Sequence, residues 1–189
     1  MVISNVHIYG VVNAVRGSKF PKATDISTLN SGITPTTIKL GTSGKAEGHD
    51  QFLTGIIAQF DLTFTVKAWT EAERYHFFDF ISSQSTMHRI AKFDLDNQYS
   101  EYTDRRMISI MNELKDKYNE TQEPEDYLRH LYSNPCGFKL TAAMTTNYRQ
   151  LKTIVSQREF HRLPEWREFC SQVKEFPHFK QLVLKEENT

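Results

Sequence analysis

One segment is the clearest guide to the fold: Phe138-Lys-Leu-Thr-Ala-Ala-Met144-Thr-Thr-Asn147-Tyr-Arg149-Gln-Leu-Lys-Thr-Ile-Val-Ser-Gln-Arg158. In its first seven residues, the apolar side chains of Phe138, Leu140, Ala142 and Met144 alternate with Lys139, Thr141 and Ala143, a pattern that is typical of a half-buried strand. Asparagine is a preferred residue at the start of a helix, and the apolar residues after Asn147 recur at helical spacing. The sequence therefore predicts a strand that leads into an Asn-capped helix about three turns long.

The start of this helix has the chemistry of a ligand site. A helix N-terminus presents free backbone amides and a partial positive charge, which suit anionic or carbonyl-rich ligands. Arg149 and Arg158 add two planar, permanently charged guanidinium groups. They lie nine residues apart and half a turn out of register, so they need not face the same group.

The rest of the chain mixes strands and helices without regular alternation. Strands are predicted over residues 2–9 and 60–67. We expect a helix from Thr70 toward Thr86, opened by a capping box with Glu73 and packing its aromatic residues in the core. Further helices are predicted around residues 107–114, 127–131 and 163–177. This order favours an α+β fold, with packed helices on a mixed or antiparallel sheet, in a single domain over residues 1–189.

Two segments are expected to lie outside the regular elements. Residues 18–49 are rich in Thr, Ser, Gly and Pro, which predicts a long, mobile loop that covers the site. Residues 178–189 follow Pro177 and are predicted to form a C-terminal tail.

Composition narrows the class of protein. The 189 residues carry 23 basic and 23 acidic side chains, so no global field favours a nucleic-acid polymer or a membrane surface as partner. No apolar run approaches the ~20 residues needed to cross a bilayer. Two cysteines do not make a disulfide framework, which indicates a reduced, cytoplasmic protein. No Cys or His grouping has the spacing of a metal site.

Three motifs occur in a characteristic order: Gly48-His49-Asp50, then Gln84-Ser-Thr-Met87-His88-Arg89, then Asn147-Tyr-Arg149 with Arg158 eleven residues after Asn147. In this order the chain resembles the flavin-dependent thymidylate synthases over residues 48–176. The resemblance implies the α+β subunit of that family, which assembles as a homotetramer with sites shared between subunits.

The resemblance also implies a reaction and a set of binding residues. FAD would be held by His49, His88, Arg89, Asn147, Arg149 and Thr153. The substrate dUMP would be held by Gln84, Ser100 and Arg158, with Arg158 as the catalytic residue that stabilises negative charge on the ring. Methylenetetrahydrofolate would supply the carbon and NADPH would reduce the flavin, giving reductive methylation at uracil C5.

Departures from the family pattern leave two alternatives open. Met87 stands where the family has an arginine, and the loop around Ser100 carries Glu101 and lacks the family's phosphate-binding arginine. The altered loop motivates a flavin-dependent pyrimidine-nucleotide hydroxymethylase. The missing charges motivate a non-enzymatic descendant that binds a nucleotide.

Overall fold

The computed structural model describes residues 1–44 and 47–184. Four strands, β1 to β4, span Val2–Tyr9, Ile57–Thr65, Phe78–Ser83 and Lys139–Asn147. The ten helices of this part of the chain, α1 to α10, span Val11–Gly17, Pro35–Gly41, Val66–Ala72, Thr86–Arg89, Leu95–Gln98, Arg105–Thr121, Pro124–Tyr132, Tyr148–Arg158, Pro164–Val173 and Phe179–Val183. Short 3-10 helices lie at Phe20–Lys22, Ile26–Thr28, His49–Gly55 and Ile90–Lys92.

The strands form one antiparallel sheet in the order β1-β2-β4-β3. Alternate residues of β2, Ala58 to Phe64, are buried against the helices that follow β4. Helices α8, α9 and α10 supply the other half of this core, in which Tyr148, Trp166 and Phe179 are fully buried. The predicted α+β class with an antiparallel sheet and packed helices is confirmed.

The segment over residues 138–158 folds as a strand followed by a capped helix, as predicted. Strand β4 pairs with β2 along its whole length, from Lys139 opposite Thr65 to Asn147 opposite Ile57. The side chain of Asn147 accepts a hydrogen bond from the Gln150 amide at 2.9 Å and so caps α8. The predicted strand at the N-terminus and helices α6, α7 and α9 are also present.

A second hydrophobic cluster lies beside the first residues of β4. Phe138 packs there with residues of α6 and of the short elements after β3. Leu140 contacts both clusters. Helices α4 to α7 therefore lie at the end of the sheet where β4 begins.

The prediction of a helix from Thr70 toward Thr86 is wrong. Helix α3 is capped by Thr65 and ends at Ala72, and Thr70 only donates to the Lys67 carbonyl within it. Residues Phe78–Ser83 form β3 instead and pair with β4. Aromatic residues fit a pleated, half-buried surface well. The edge of β4 offers such a surface, so tertiary pairing overrides the helical spacing.

Part of the predicted loop over residues 18–49 is helical. Helix α2 begins at Pro35, and Thr34 and Thr37 form a reciprocal capping box at its start. Proline is favoured at the first helical position because its missing amide has no partner there. The segment before it is tied by Lys19, whose Nζ donates to the carbonyls of Asn30 and Gly32. Its mobility stays a prediction, as does the single-domain organisation.

The predicted tail over residues 178–189 is also partly helical. Phe179, Leu182 and Val183 of α10 are buried in the main core. Tyr148 donates to the Pro177 carbonyl at 2.6 Å, which fixes the entry to this helix. Apolar residues at helical spacing thus place α10 in the fold, whereas residues 185–189 lie outside the described residues. None of the described helices has the length and apolar composition to cross a bilayer.

A substitution of Gly41, at the end of α2, tests the packing of α10 on α2. A Cβ atom there would lie 2.0 Å from the Leu182 carbonyl oxygen of α10. We expect Gly41→Ala to lower the free energy of unfolding by about 1–3 kcal/mol, because the backbone must shift. Gly17 is the matched control, since a Cβ there meets nothing within 4 Å. Gly17→Ala should be neutral or stabilising in the same urea titration. Equal midpoints for the two variants would contradict the docking of α10 on α2.

Candidate functional site

A cavity of about 570 Å³ opens where β4 ends and α8 begins. The 3-10 helix His49–Gly55 and the turn before β3 complete its wall. Its lining residues are Asp50, Gln51, Thr54, Phe77, Asn147, Arg149, Gln150 and Thr153. Three of the predicted cofactor-binding residues, Asn147, Arg149 and Thr153, are thus brought together on one wall.

A buried carboxylate organises the charges of this cavity. The side chain of Asp50 is only 2% exposed, and its two oxygens bind Arg149 Nε at 3.0 Å and Lys152 Nζ at 2.8 Å. Lys152 also donates to the carbonyls of Gly41 and Ser43. Arg149 keeps its terminal nitrogens without a hydrogen bond to any described residue. Asp50 therefore orients the guanidinium while leaving donors for a ligand.

The start of α8 adds neutral hydrogen-bonding groups. The Oδ1 atom of Asn147 is used in the helix cap, which leaves its amide nitrogen as a donor. Thr153 lies one turn after Arg149 and bonds back to its carbonyl at 3.3 Å. With Gln51 and Gln150, the wall offers amide, hydroxyl and guanidinium groups in one place. Such a set suits a ligand with phosphate oxygens or a carbonyl-bearing ring.

A second, larger cavity adjoins the first. It measures about 1380 Å³ and shares Gln51 and Thr54 with its neighbour. The predicted cofactor residue His49 lines this second cavity and not the first. Lys22 and Lys39 also line it and have no ion pair within the described residues. The two cavities are therefore neighbours, and the second contributes two lysines that are free to meet an anionic ligand.

Gln84, predicted to bind substrate, lies at the opposite end of the sheet. Its backbone amide donates to the Thr141 carbonyl, and its side-chain oxygen accepts from the Thr141 amide, both at 2.9 Å. Thr141 and Asn147 are six residues apart on β4, a rise of about 20 Å in a strand. Gln84 does not share a helix with His88, because α4 begins only at Thr86.

His88 and Arg89 line neither cavity. Both are exposed at the end of the four-residue helix α4. Tyr127 of α7 donates to the Thr86 carbonyl at 3.2 Å, which ties α4 to the second cluster. This helix therefore stays with α6 and α7, away from the start of α8.

Ser100 lies on the same side as α4. Its amide donates to the Gly137 carbonyl at 2.9 Å, just before β4 begins. Neither cavity includes it. Within one chain, the predicted nucleotide residues Gln84 and Ser100 are thus separated from the predicted cofactor residues on α8.

Arg158 is buried in a network of its own at the far end of α8. Its Nε donates to the Tyr75 hydroxyl at 2.7 Å, and its Nη1 contacts Glu71 at 3.0 Å and His161 at 2.7 Å. The guanidinium also lies 5.0 Å from the centre of the Trp166 ring. Nine residues of helix separate it from Arg149, or about 14 Å. One chain therefore does not bring Arg158 to the first cavity.

The neighbours of Arg158 shift the pKa values of His161 and Glu71. Burial and the nearby guanidinium lower the pKa of His161, so its ring stays neutral and accepts from Arg158. For Glu71, burial opposes ionisation, but hydrogen bonding to Lys67 and the surrounding positive charges outweigh it and lower the pKa. An ionised Glu71 thus holds Arg158 in place.

Sequence reasoning missed several residues of the first cavity. Asp50 was noted only as part of the His49 motif, although it binds two cations. Lys152 has helical spacing with Arg149 that could have indicated a shared partner. The sequence around Phe77 did not indicate a site residue, because this segment was predicted to be helical.

Comparison with solved structures places this geometry among known folds. The flavin-dependent thymidylate synthase of Helicobacter pylori, complexed with FAD and dUMP, superimposes with a TM-score of 0.77 at 13% identity, covering 98% of this chain and 99% of that one. A second structure of that enzyme with FAD and dUMP gives 0.78 at 13% identity, covering 98% of each chain.

The chain has the fold of the flavin-dependent thymidylate synthases. A UMP/dUMP methylase from Streptomyces cacaoi, bound with 5-Br UMP, shares this fold less closely, with a TM-score of 0.64 at 11% identity over 95% of this chain and 91% of that one. No family model and no curated protein sequence matches the chain. The fold of the flavin-dependent thymidylate synthases, which was predicted from the motifs, is thus confirmed at the level of structure.

Proposed function

We propose that the chain is a cytoplasmic, FAD-dependent nucleotide methyltransferase that converts dUMP to its 5-methyl product with methylenetetrahydrofolate and NADPH. One observation carries the proposal: Asn147, Arg149 and Thr153 line one cavity at the start of α8, in a chain with the thymidylate synthase fold. The two Helicobacter structures bind FAD and dUMP. The Streptomyces methylase binds a pyrimidine nucleotide as well.

The residues of the two cavities fit a flavin dinucleotide. The terminal nitrogens of Arg149 suit a phosphate, and the amides of Asn147, Gln51 and Gln150 suit the carbonyl and nitrogen edge of a ring. The lysines of the second cavity would neutralise further negative charge, and His49 would add a ring nitrogen as a hydrogen-bonding group. Bound flavin supplies hydride chemistry. The residues of the first cavity would orient the ring and hold the phosphate.

We also propose a homotetramer with shared sites. Gln84 and Ser100 lie about 20 Å along the sheet from Asn147, so one chain cannot place them on the same small ligand. His88 and Arg89 are exposed on that distant side. A neighbouring copy can bring all four to the cavity, where His88 and Arg89 would contact FAD and Gln84 and Ser100 would contact dUMP.

Arg158 is proposed to act on the nucleotide from the end of α8. A guanidinium close to the uracil carbonyls would stabilise negative charge as it develops on the ring. Glu71 and Tyr75 fix the direction of Nε and Nη1, which leaves Nη2 as the donor for substrate. Preorganised donors of this kind need no rearrangement during the reaction.

Binding of FAD tests the proposal directly. We expect the purified protein to bind FAD and Arg149→Met to weaken that binding at least tenfold, the effect of losing a charged hydrogen bond of roughly 1.5–3 kcal/mol. Equilibrium dialysis measures both affinities. Arg162→Met, which removes an exposed arginine outside both cavities, should match the parent. A parent that binds no FAD would overturn the proposed function.

A non-enzymatic nucleotide-binding protein is the second candidate. The burial of Arg158 favours it, because Glu71, Tyr75 and His161 already occupy much of its hydrogen-bonding capacity. The two functions differ in product. Incubation of the FAD-loaded protein with dUMP, methylenetetrahydrofolate and NADPH, followed by mass spectrometry, shows a gain of one methyl group only for the enzyme.

A further inference from the structure

Phe77 is an apolar side chain in an unusual position. It occupies the turn before β3, it is 66% exposed, and it lines the first cavity beside Asn147 and Arg149. Its neighbour Phe78 is buried in the core. Phe78 therefore packs in the core, whereas Phe77 faces solvent at the cavity.

The backbone of Phe77 is strained. Its φ is +60°, in the left-handed region that glycine and asparagine occupy most easily. Among the described residues, the other non-glycine positions with positive φ are Asn5, Gln122 and His178, all polar. Thr146 holds the strained turn by donating to the Phe77 carbonyl at 2.6 Å. Strain of this kind often marks a residue that is kept for binding.

The surroundings of Phe77 indicate what the ring would contact. Guanidinium and amide groups of Arg149, Asn147 and Gln150 share the cavity wall with it. An aromatic face beside such groups suits a flat heterocycle, whose π surface stacks on the ring while its polar edge meets the donors. No other aromatic residue lines this cavity in the described part of the chain.

We propose that Phe77 is a stacking platform for the heterocyclic ring of the nucleotide cofactor in the first cavity. The inference rests on the proposed function, which provides FAD as the probe. It deepens that function by assigning ring recognition to a residue outside the motifs, and it explains why a strained, exposed phenylalanine stands in this turn.

Four variants separate stacking from strain. Phe77→Leu keeps an apolar side chain without a ring and should weaken FAD binding about tenfold in equilibrium dialysis. Phe77→Trp keeps a ring and should bind like the parent. Phe77→Gly relieves the strain, so it should raise the melting temperature or leave it unchanged while weakening FAD binding by a similar factor. Gln122→Gly relieves the same strain outside both cavities and should leave FAD binding unchanged.

Phe160→Leu is the matched control for the loss of an exposed ring, because Phe160 is 90% exposed and lines neither cavity. Equal FAD affinity for Phe77→Leu and a binding-competent parent would overturn the stacking role and leave the proposed function standing. A parent that binds no FAD would overturn both. If Phe77→Leu changes the particle mass in light scattering, the ring belongs to a subunit contact and the proposal fails.

Discussion

Replacing Asp50 with alanine is expected to lower the free energy of unfolding by about 3–5 kcal/mol, because the change removes the buried carboxylate that pairs with Lys152 and Arg149. Lys152 is the main cause, since its side chain is only 12% exposed. Arg149 is 36% exposed and contributes less, because solvent screens its charge. The affinity for FAD should also fall, because Asp50 orients the Arg149 guanidinium.

Urea titration measures this loss, and an exposed ion pair provides the control. Glu125 pairs with Arg129 at 2.6 Å, but their side chains are 77% and 55% exposed. Glu125→Ala should therefore change the free energy of unfolding by less than about 1 kcal/mol. An Asp50→Ala midpoint within error of Glu125→Ala would mean that the carboxylate does not hold the two cations.

Arg158→Met is expected to lower the free energy of unfolding by about 3 kcal/mol, near the low end for breaking a buried ion pair. The side chain of Arg158 is 10% exposed, and its loss removes the bonds to Tyr75 and Glu71. Glu71 keeps Lys67 at 3.0 Å, which limits the cost. Arg158→Lys retains charge but cannot reproduce both bonds of the planar fork, so an intermediate loss is expected.

The lysine variant separates the structural from the substrate role. At a temperature where Arg158→Lys stays folded, the proposed substrate role requires dUMP binding to fall at least tenfold, or by ~1.4 kcal/mol. Unchanged dUMP binding with reduced stability would leave Arg158 as a structural residue. Arg162→Lys, on an exposed neighbour, should alter neither quantity.

Local chemistry made the strand and the helix that carry the candidate site predictable. The strand before Asn147 and the apolar spacing after it depend on neighbours within a few residues, and the structure places Asn147, Arg149 and Thr153 together. The motif order also indicated the correct fold. The strand and the capped helix follow from alternation, capping and helical periodicity, which act over short distances in the chain. The fold type and the choice of Arg149 and Thr153 came from the family resemblance.

Long-range contacts explain what the sequence could not predict. Trp69, Ala72, Tyr75 and Phe78 recur every three residues, as on a helix, and only the edge of β4 makes the segment from Phe78 onward a strand. The strain at Phe77 follows from that turn and could not be foreseen without it. The burial of Arg158 likewise depends on Glu71 of α3, and the bounds of this helix were predicted wrongly. Local periodicity does not report such pairings.

The pairing of β2 with β4 has a consequence for how the molecule folds. This central ladder joins residues on the order of 80 positions apart, and such non-local pairing closes slowly. The 3-10 helix carrying Asp50 immediately precedes β2, and Arg149 follows β4. The two partners of that ion pair therefore meet only after this long loop has closed. Competence to bind a ligand at this cavity would arise late in refolding, after the local helices have formed.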